Sequence, residues 1–550
     1  MSNQAYESAA VLRPRSQAPT TLAELARKLD LHALDDAGGD LSEVLVHGVS
    51  VDSGDVTRGE LFTALPGFRR HGADFAAQAV AAGAVAVLTD ADGAARVRAE
   101  LPRVPVLVHP DPRQVVGPLA AVVYHHPGQH LVTTAVTGTN GKTTTSYFLQ
   151  AILAAHHGGC MIAGTVELSV GSLSVESPRT TVEAPVLQRM MALAVEEGVG
   201  AASLEASSHA IVLHRLGGTR VDVAGFTNLQ RDHLDFHHTM EEYLDAKAQL
   251  FTPERARHAV ICVDDRWGAA LARRVAEAGA LEVDRVRAYP GPDPTLDPSQ
   301  GTDWWVSDAA VSMTRAATTF TLHGPDGEHI EAACPLPGLV NVQNAALALV
   351  MALRAGVPAD TAVHALAHAH NIPGRMQRVC QRDGRRGTCI VDFAHTPEAM
   401  ELALKAVREI TPGRLIVVFG SDGDRDQGKR PMLGEVAARL ADVLVVTDEN
   451  PRSEDPQLIR DAVLAGVRAV RPGMEDVEEV TTWRGDAVRR GVELCGAQDT
   501  VIVTGKGHEP FLEAAGEFIR YNDAPVMREA VEAKWPTVSE DGPRTGSEHD

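Results

Sequence analysis

The run Thr137-Gly138-Thr139-Asn140-Gly141-Lys142-Thr143-Thr144 constrains this chain more than any other feature. It closes an apolar, β-branched stretch that begins at Leu131 and opens a helical stretch from about Thr143 to Ala155. A strand that turns through glycines into a helix aims backbone N–H groups and the positive end of the helix dipole at one spot. That spot is an anion site. Lys142 would reach the β- and γ-phosphates of a nucleotide, and Thr143 would offer its hydroxyl to Mg2+. Val136 stands where the longer Walker spacing has glycine, so the loop is a shortened form.

The remaining composition fits a globular chain of several domains. The 550 residues are 44% hydrophobic and 23% charged, which suits several packed cores and excludes a largely disordered chain. Lys and Arg number 51 against 73 Asp and Glu, a net charge of −22. Without clustered basic residues, nucleic acid and anionic membrane are not expected partners. No apolar run reaches the roughly 18 residues of a spanning helix, and no signal-peptide core is visible. The six cysteines form no CxxC pair, which argues against a disulfide framework and points to a reducing cytoplasm.

Periodicity divides the chain into α/β regions. Residues 1–20 and 539–550 read as flexible ends. Residues 21–130 mix short strands with Ala-rich helices, beginning with a helix over Thr21–Leu31. Residues 131–372 carry the phosphate loop and end in an inserted hairpin about Gly324-Pro325-Asp326-Gly327 and a helix from Asn341. Residues 373–538 hold four apolar runs, Thr388–Val391, Leu415–Phe419, Val443–Val446 and Val501–Thr504, separated by helical stretches. That alternation predicts βαβ units and a parallel sheet.

Further chemistry sits at strand ends. Glu205 closes the apolar run Ala201–Leu204, where a carboxylate would face a nucleotide-bound metal. Asn228–His238 is dense in metal-capable groups. Mg2+ is favoured there, with zinc through His233 and His237 as the alternative. His364, His368 and His370 read as an exposed helix face. In the last region each strand leads into a polar loop. These carry Asp392 and His395; Arg425 and Lys429; Glu449, Asn450, Pro451 and Arg452; Gly505 and Glu509. Four such loops on one sheet edge form a crevice. Its mixed charges, Arg425, Lys429 and Arg452 against Glu449 and Glu509, suit a zwitterion such as an amino acid.

In order along the chain stand G-T-N-G-K-T-T, E-A-S-S-H, N-L-Q-R-D-H-L-D-F-H, P-G-R-M, D-F-A-H-T-P, G-D-R-D-Q-G-K-R-P and G-K-G-H-E. With these motifs the chain resembles the Mur ligase family from about residue 51 to residue 529. It looks most like the branch that adds a diamino acid to a UDP-N-acetylmuramoyl dipeptide in peptidoglycan precursor synthesis. The resemblance implies three domains: an N-terminal UDP-binding α/β domain, a central P-loop ATPase domain and a C-terminal Rossmann-like domain. It implies ATP and Mg2+ as cofactors and, as partners, UDP-N-acetylmuramoyl-L-alanyl-D-glutamate and meso-2,6-diaminopimelate. A monomer is expected.

The resemblance also implies roles. Val51 and Ser53, with the Phe68–Arg70 turn, would lie on the UDP-sugar. Thr180, Thr181, Ser207 and Arg215 would bind the muramoyl dipeptide. Gly138, Thr139, Asn140, Gly141, Lys142, Thr143, Thr144, Asn341, Arg375, Asp392 and His395 would hold ATP. Lys142, Glu205, His233 and Lys247 would be catalytic. Thr143, Glu205, His233 and a carbamylated Lys247 would surround the metal. Arg425, Glu449, Asn450, Pro451, Arg452, Gly505 and Glu509 would read the diamino acid. An Arg at 452 can grip the distal carboxylate of diaminopimelate, which lysine lacks. The sequence departs from the family pattern at Gly54, Val182, Val340, Glu449 and Pro510-Phe511. The rivals are a sister ligase with another acceptor, a non-catalytic ATP-binding homologue and a plain ATPase.

Overall fold

The structure, a computed structural model, describes residues 11–34, 40–67, 69–288, 301–312 and 317–536. Phe68 and the 539–550 tail lie outside the described residues. The chain forms two compact units. One takes the chain up to Ala309 together with Thr319–Pro335 and Val340–Ala369. The other takes Ala310–Thr318, Leu336–Leu339 and the chain from His370 onward.

The first unit opens with a five-stranded sheet. Its order is His32–Ala33, Val106–Val108, Ala86–Thr89, Glu60–Thr63, Gly48–Ser50. The helix Leu22–Lys28 starts where the Thr21 side chain accepts the Glu24 N–H, which fills one of the donors a helix start leaves open. The helix Pro112–Val123 lies against the central region so closely that a Cβ on Gly117 would sit 2.5 Å from the Gly217 carbonyl.

The expectation of a loose start differs from the structure over residues 11–20. Leu12 is fully buried in the core of the central region. Arg13 pairs with Asp55, in the turn between two strands of the first sheet, and with Glu60 of that sheet, and the backbone N–H groups of Arg15 and Ser16 donate to Glu196. Arg189, itself buried, meets Asp55 from the other side at 2.5 Å. One apolar anchor and a shared pair of carboxylates therefore hold this segment. Composition did not show them, because both partners lie far along the chain.

The central sheet has eleven strands. Val132–Thr137 lies between Ala201–Glu205 and Val221–Phe226 and runs parallel to both, with Glu205 opposite Val136 and Phe226 opposite Thr137. All three strands are buried along almost their whole length, as parallel strands covered on both faces are. The register therefore brings their carboxyl ends to one edge. The expected hairpin is present as Ala317–His323 and His329–Cys334 about the turn Pro325–Gly327.

The second unit carries a six-stranded sheet in the order Gln377–Cys380, Thr388–Val391, Thr500–Val503, Leu415–Phe419, Val443–Val446, Val477–Glu479. All pairings but the first are parallel. The four polar loops accordingly leave from the same edge. Among the described residues no helix is long and apolar enough to cross a membrane.

Candidate functional site

At the end of Val132–Thr137 the chain turns through Gly138 (φ +148°) and Gly141 (φ +89°) into the helix Lys142–His157. Both glycines are required by conformation and by space. A Cβ on Gly138 would run into Thr227 Oγ1, and one on Gly141 into Asn344 Oδ1. Neighbours pin the loop between them. Thr227 Oγ1 donates to the Asn140 carbonyl at 2.6 Å, and Asn228 Oδ1 accepts the Asn140 N–H at 3.0 Å. Lys142 Nζ donates to the Gly138 and Thr139 carbonyls at 3.0 and 2.9 Å, folding over its own loop.

Glu205 is fully buried one strand away. Its Oε2 accepts from Thr143 Oγ1 at 3.0 Å and lies 2.8 Å from Thr165 Oγ1, while Oε1 accepts the Thr165 N–H at 2.8 Å. Its backbone carbonyl accepts from Thr181 Oγ1 at 2.7 Å, and Thr181 Oγ1 in turn accepts the Ser207 N–H at 3.1 Å. Thr180 Oγ1 is 3.2 Å from Thr165 Oγ1. The Thr143 hydroxyl and Glu205 carboxylate form an all-oxygen pair, which fits Mg2+. That ion takes one or two protein oxygens and draws the rest of its shell from phosphates and water. Among the described residues no three His, Cys, Asp or Glu side chains converge to hold a metal by themselves.

The other two residues of the expected metal set are Lys247, which touches the phosphate loop, and His233. Lys247 is buried. Its Nζ donates to the Gly138 carbonyl at 2.8 Å and lies 4.4 Å from the centre of the Tyr243 ring. Burial, and then the charge of Lys142, hold its amine well below the ordinary lysine range. His233 has φ +53° and is about half exposed, 3.4 Å from Asp232 and with its ring 5.0 Å from that of His209. His237 is buried, with Nε2 2.8 Å from Ser208 Oγ and its ring stacked on Tyr243. The two histidines differ in burial, and both rings border His209 and Tyr243.

Asn341, expected on the nucleotide, is buried at the start of the helix Leu339–Arg354, and its carbonyl accepts from Cys334 Sγ at 3.5 Å. One turn later, Asn344 meets the phosphate loop at Gly141 and accepts from Thr145 Oγ1 of the following helix at 3.4 Å. Thr165, Thr227 and Asn344 are candidate site residues that sequence reasoning missed. Only the i, i+3 spacing of the two asparagines hinted at the last.

Val51 and Ser53 line a cleft of about 320 Å3 in the same unit, together with Arg70, Arg113 and Glu183. Glu183 gathers three arginines: Arg179 at 2.9 Å, Arg215 at 3.0 Å and Arg113 at 3.5 Å. Arg215 also donates to the Thr181 carbonyl at 3.4 Å. Three guanidiniums thus meet on one carboxylate that lines the cleft, with Arg215 also reaching Thr181.

In the second unit Asp392 is buried and accepts two backbone N–H groups, from Met376 at 2.7 Å and Ala394 at 2.9 Å. Arg375 lies 4.2 Å over the Phe393 ring, and His395 Nδ1 is 3.0 Å from the Phe393 carbonyl. Asn450 Nδ2 donates to Glu509 Oε2 at 3.1 Å. Lys506, absent from the expected set, donates to Asn450 Oδ1, Glu509 Oε2 and the Phe511 carbonyl at 2.8, 3.0 and 2.7 Å. Arg452 has φ +55°, and its guanidinium stands between Asp422 at 3.7 Å and Glu513 at 3.8 Å. The Pro451 carbonyl fills the space a Cβ on Gly423 would take. Glu449 is buried against Gly505 (φ +109°), where a Cβ would come within 2.5 Å of its Oε2. Burial, and then Asp422, push its carboxyl up to about 8. Arg425 is exposed on its loop.

Three family models match the chain: Mur ligase family, catalytic domain, over residues 45–124; Mur ligase middle domain, over 136–352; and Mur ligase, glutamate ligase domain, over 374–507. The UDP-N-acetylmuramoyl-L-alanyl-D-glutamate--2,6-diaminopimelate ligase of Streptomyces avermitilis is 41% identical over 94% of this chain and 98% of that protein. The UDP-N-acetylmuramyl-tripeptide synthetase of Leifsonia xyli subsp. xyli is 41% identical over 95% of this chain and 98% of that protein. A solved structure of a UDP-N-acetylmuramoyl-L-alanyl-D-glutamate--2,6-diaminopimelate ligase matches with a TM-score of 0.65 and 30% identity, covering 94% of this chain and all of that one.

Proposed function

Because the chain belongs to the Mur ligase family, we propose that it is an ATP-dependent ligase of peptidoglycan precursor synthesis that joins 2,6-diaminopimelate, in its meso form, to UDP-N-acetylmuramoyl-L-alanyl-D-glutamate. The observation that carries this reading is the position of Glu205. Its carboxylate receives Thr143 of the phosphate loop, and its carbonyl receives Thr181 of the proposed muramoyl-peptide pair. One residue therefore links the phosphoryl donor to the carboxylate that must accept it.

A carboxylate is a poor acyl donor, and phosphorylation makes it a good one. The D-glutamyl carboxylate oxygen forms a bond to the γ-phosphorus of ATP as the bond to ADP breaks. The amine of the diamino acid then attacks the acyl phosphate, loses a proton, and phosphate leaves. The N–H groups of the glycine loop and the ammonium of Lys142 stabilise the transferring charge. Magnesium, held by Thr143 and Glu205 with His233 and a carbamate on Lys247 as further proposed ligands, would neutralise phosphate charge when bound. Lys247 suits carbamylation because burial and Lys142 favour its neutral amine, the form that adds to carbon dioxide with loss of a proton. Arg215 and its neighbours on Glu183 would orient the anionic dipeptide. Arg375, Asp392 and His395 are proposed for the nucleotide. Arg425, Glu449, Asn450, Pro451, Arg452, Gly505 and Glu509 are proposed for the diamino acid.

The test is phosphate release with ATP, Mg2+ and the UDP-muramoyl dipeptide, offered meso-diaminopimelate, LL-diaminopimelate or L-lysine. Release that requires the dipeptide and the meso isomer supports the reading. Release with lysine and not with either diaminopimelate would replace the acceptor. Release without any amino acid would replace the reaction class.

A further inference from the structure

Lys506 is the most deeply buried ammonium in the second unit's polar loops, with its side chain 0% exposed. An ammonium so placed is tolerated only when its hydrogen bonds are met inside the protein. It has three donors. All three are taken, by Asn450 Oδ1, Glu509 Oε2 and the Phe511 carbonyl. Lys506 therefore has no donor left for a ligand. It joins the loop after Val443–Val446, the loop after Thr500–Val503 and the strand Phe511–Ala514.

The bonds also set orientation. Asn450 Oδ1 accepts from Lys506 and, at 3.2 Å, from the Glu513 N–H, so the other end of the amide, Nδ2, faces Glu509 Oε2. Both donors on Glu509 thus fall on Oε2. Its Oε1 accepts nothing from the described residues, and the side chain is 36% exposed. One carboxylate oxygen is anchored inward, and the other is left for a cationic group of an incoming molecule.

We propose that Lys506 is the positioning residue for acceptor recognition: its buried ammonium locks Asn450 and Glu509 in the arrangement that receives the ammonium of the amino acid. This rests on reading those two residues as part of the amino-acid site. Lys506 itself does not touch the acceptor.

Steady-state kinetics of Lys506→Met, Glu509→Gln and the double variant test this, with diaminopimelate, ATP and the UDP-muramoyl dipeptide varied in turn. Lys506→Met is expected to raise the KM for diaminopimelate roughly 10- to 100-fold, the range for losing hydrogen bonds to a charged group. The KM values for ATP and the dipeptide should stay within about twofold of wild type, the scatter expected away from the altered contacts. In the Glu509→Gln background the same change should add less than it does alone, because the share acting through Glu509 is already gone and only the share acting through Asn450 remains. Should Lys506→Met fail to fold, the double variant carries the test. It leaves no carboxylate facing the emptied position, and its KM for diaminopimelate must exceed that of Glu509→Gln alone, through Asn450, while those for ATP and the dipeptide stay unchanged. An unchanged KM for diaminopimelate in Lys506→Met, or an equal loss across all three substrates, overturns the assignment. A wild-type enzyme that ignores diaminopimelate overturns the underlying reading and the assignment with it.

Discussion

The phosphate loop of the first unit and the proposed acceptor loops of the second are made of different materials. The first is made of backbone. Gly138 and Gly141 clear space that Thr227 and Asn344 occupy, and N–H groups are proposed to do the binding. The second is made of side-chain charge. Arg452 stands between Asp422 and Glu513, and Lys506 is locked to Asn450 and Glu509. A backbone cradle recognises any phosphate chain and is intolerant of side chains. A charge lattice discriminates among zwitterions and depends on keeping each charge partnered.

The largest effect should fall on the general element. Lys142→Ala removes the cation that folds over the loop, and turnover should fall roughly 1,000-fold or more, the scale of losing a charge that stabilises phosphoryl transfer. Single-turnover formation of ADP measures it. Near-normal turnover would break the comparison at its first term. Arg452→Ala comes next. Discrimination between diaminopimelate and lysine should drop by roughly 100-fold, through loss of binding to the acceptor with that for ATP unchanged. The ratio of kcat/KM values for the two amino acids reads this directly. A parallel loss for both would assign Arg452 to holding the loop through Glu513.

Gly141→Ala should be smaller, about 10-fold in kcat/KM for ATP. The added methyl group meets Asn344 Oδ1 and a left-handed backbone that costs about 1–3 kcal/mol. Pairing it with Asn344→Ala sharpens the point. Partial recovery would show that the space taken by Asn344, and not the backbone alone, enforces glycine at this position.

Legibility in sequence follows the same division. The phosphate loop is contiguous, so strand, turn and helix could be read in one pass. The apolar runs Thr388–Val391, Leu415–Phe419 and Val443–Val446 keep their bounds in the structure, and the last is shifted by one residue to Thr500–Val503. Buried parallel strands announce themselves as unbroken β-branched runs. What supports the sites was not legible. Thr165, Thr227 and Asn344 are single polar residues brought in from distant strands and a helix, and nothing local marks them. Lys506 stood in plain view within G-K-G-H-E. Burial, which makes it a lattice point and not a ligand contact, is a property of the fold alone. The same holds for Leu12 and Arg13, whose partners lie in two different sheets.

The smallest expected effect tests whether the charge lattice carries an energetic cost. Glu449 is buried, and its carboxyl is pushed from an ordinary value near 4.5 up to about 8, first by burial and then by Asp422. Below the ordinary value the group is protonated folded or unfolded, and it favours neither state. Between about 4.5 and 8 the unfolded chain has given up the proton and the folded chain still holds it. The folded state binds more protons there, so this group's contribution to stability falls as pH rises through that window. Above it the full cost of a buried charge is present. Glu449→Gln keeps the shape and removes the titration. Its melting temperature relative to wild type should therefore climb between pH 5 and pH 8.5, by several degrees. Differential scanning calorimetry across that range measures the difference. A flat difference would mean that Lys429 and Arg484, the cations that offset the shift, already neutralise this carboxylate in the folded protein. The acceptor loops would then be as insensitive to pH as the backbone cradle.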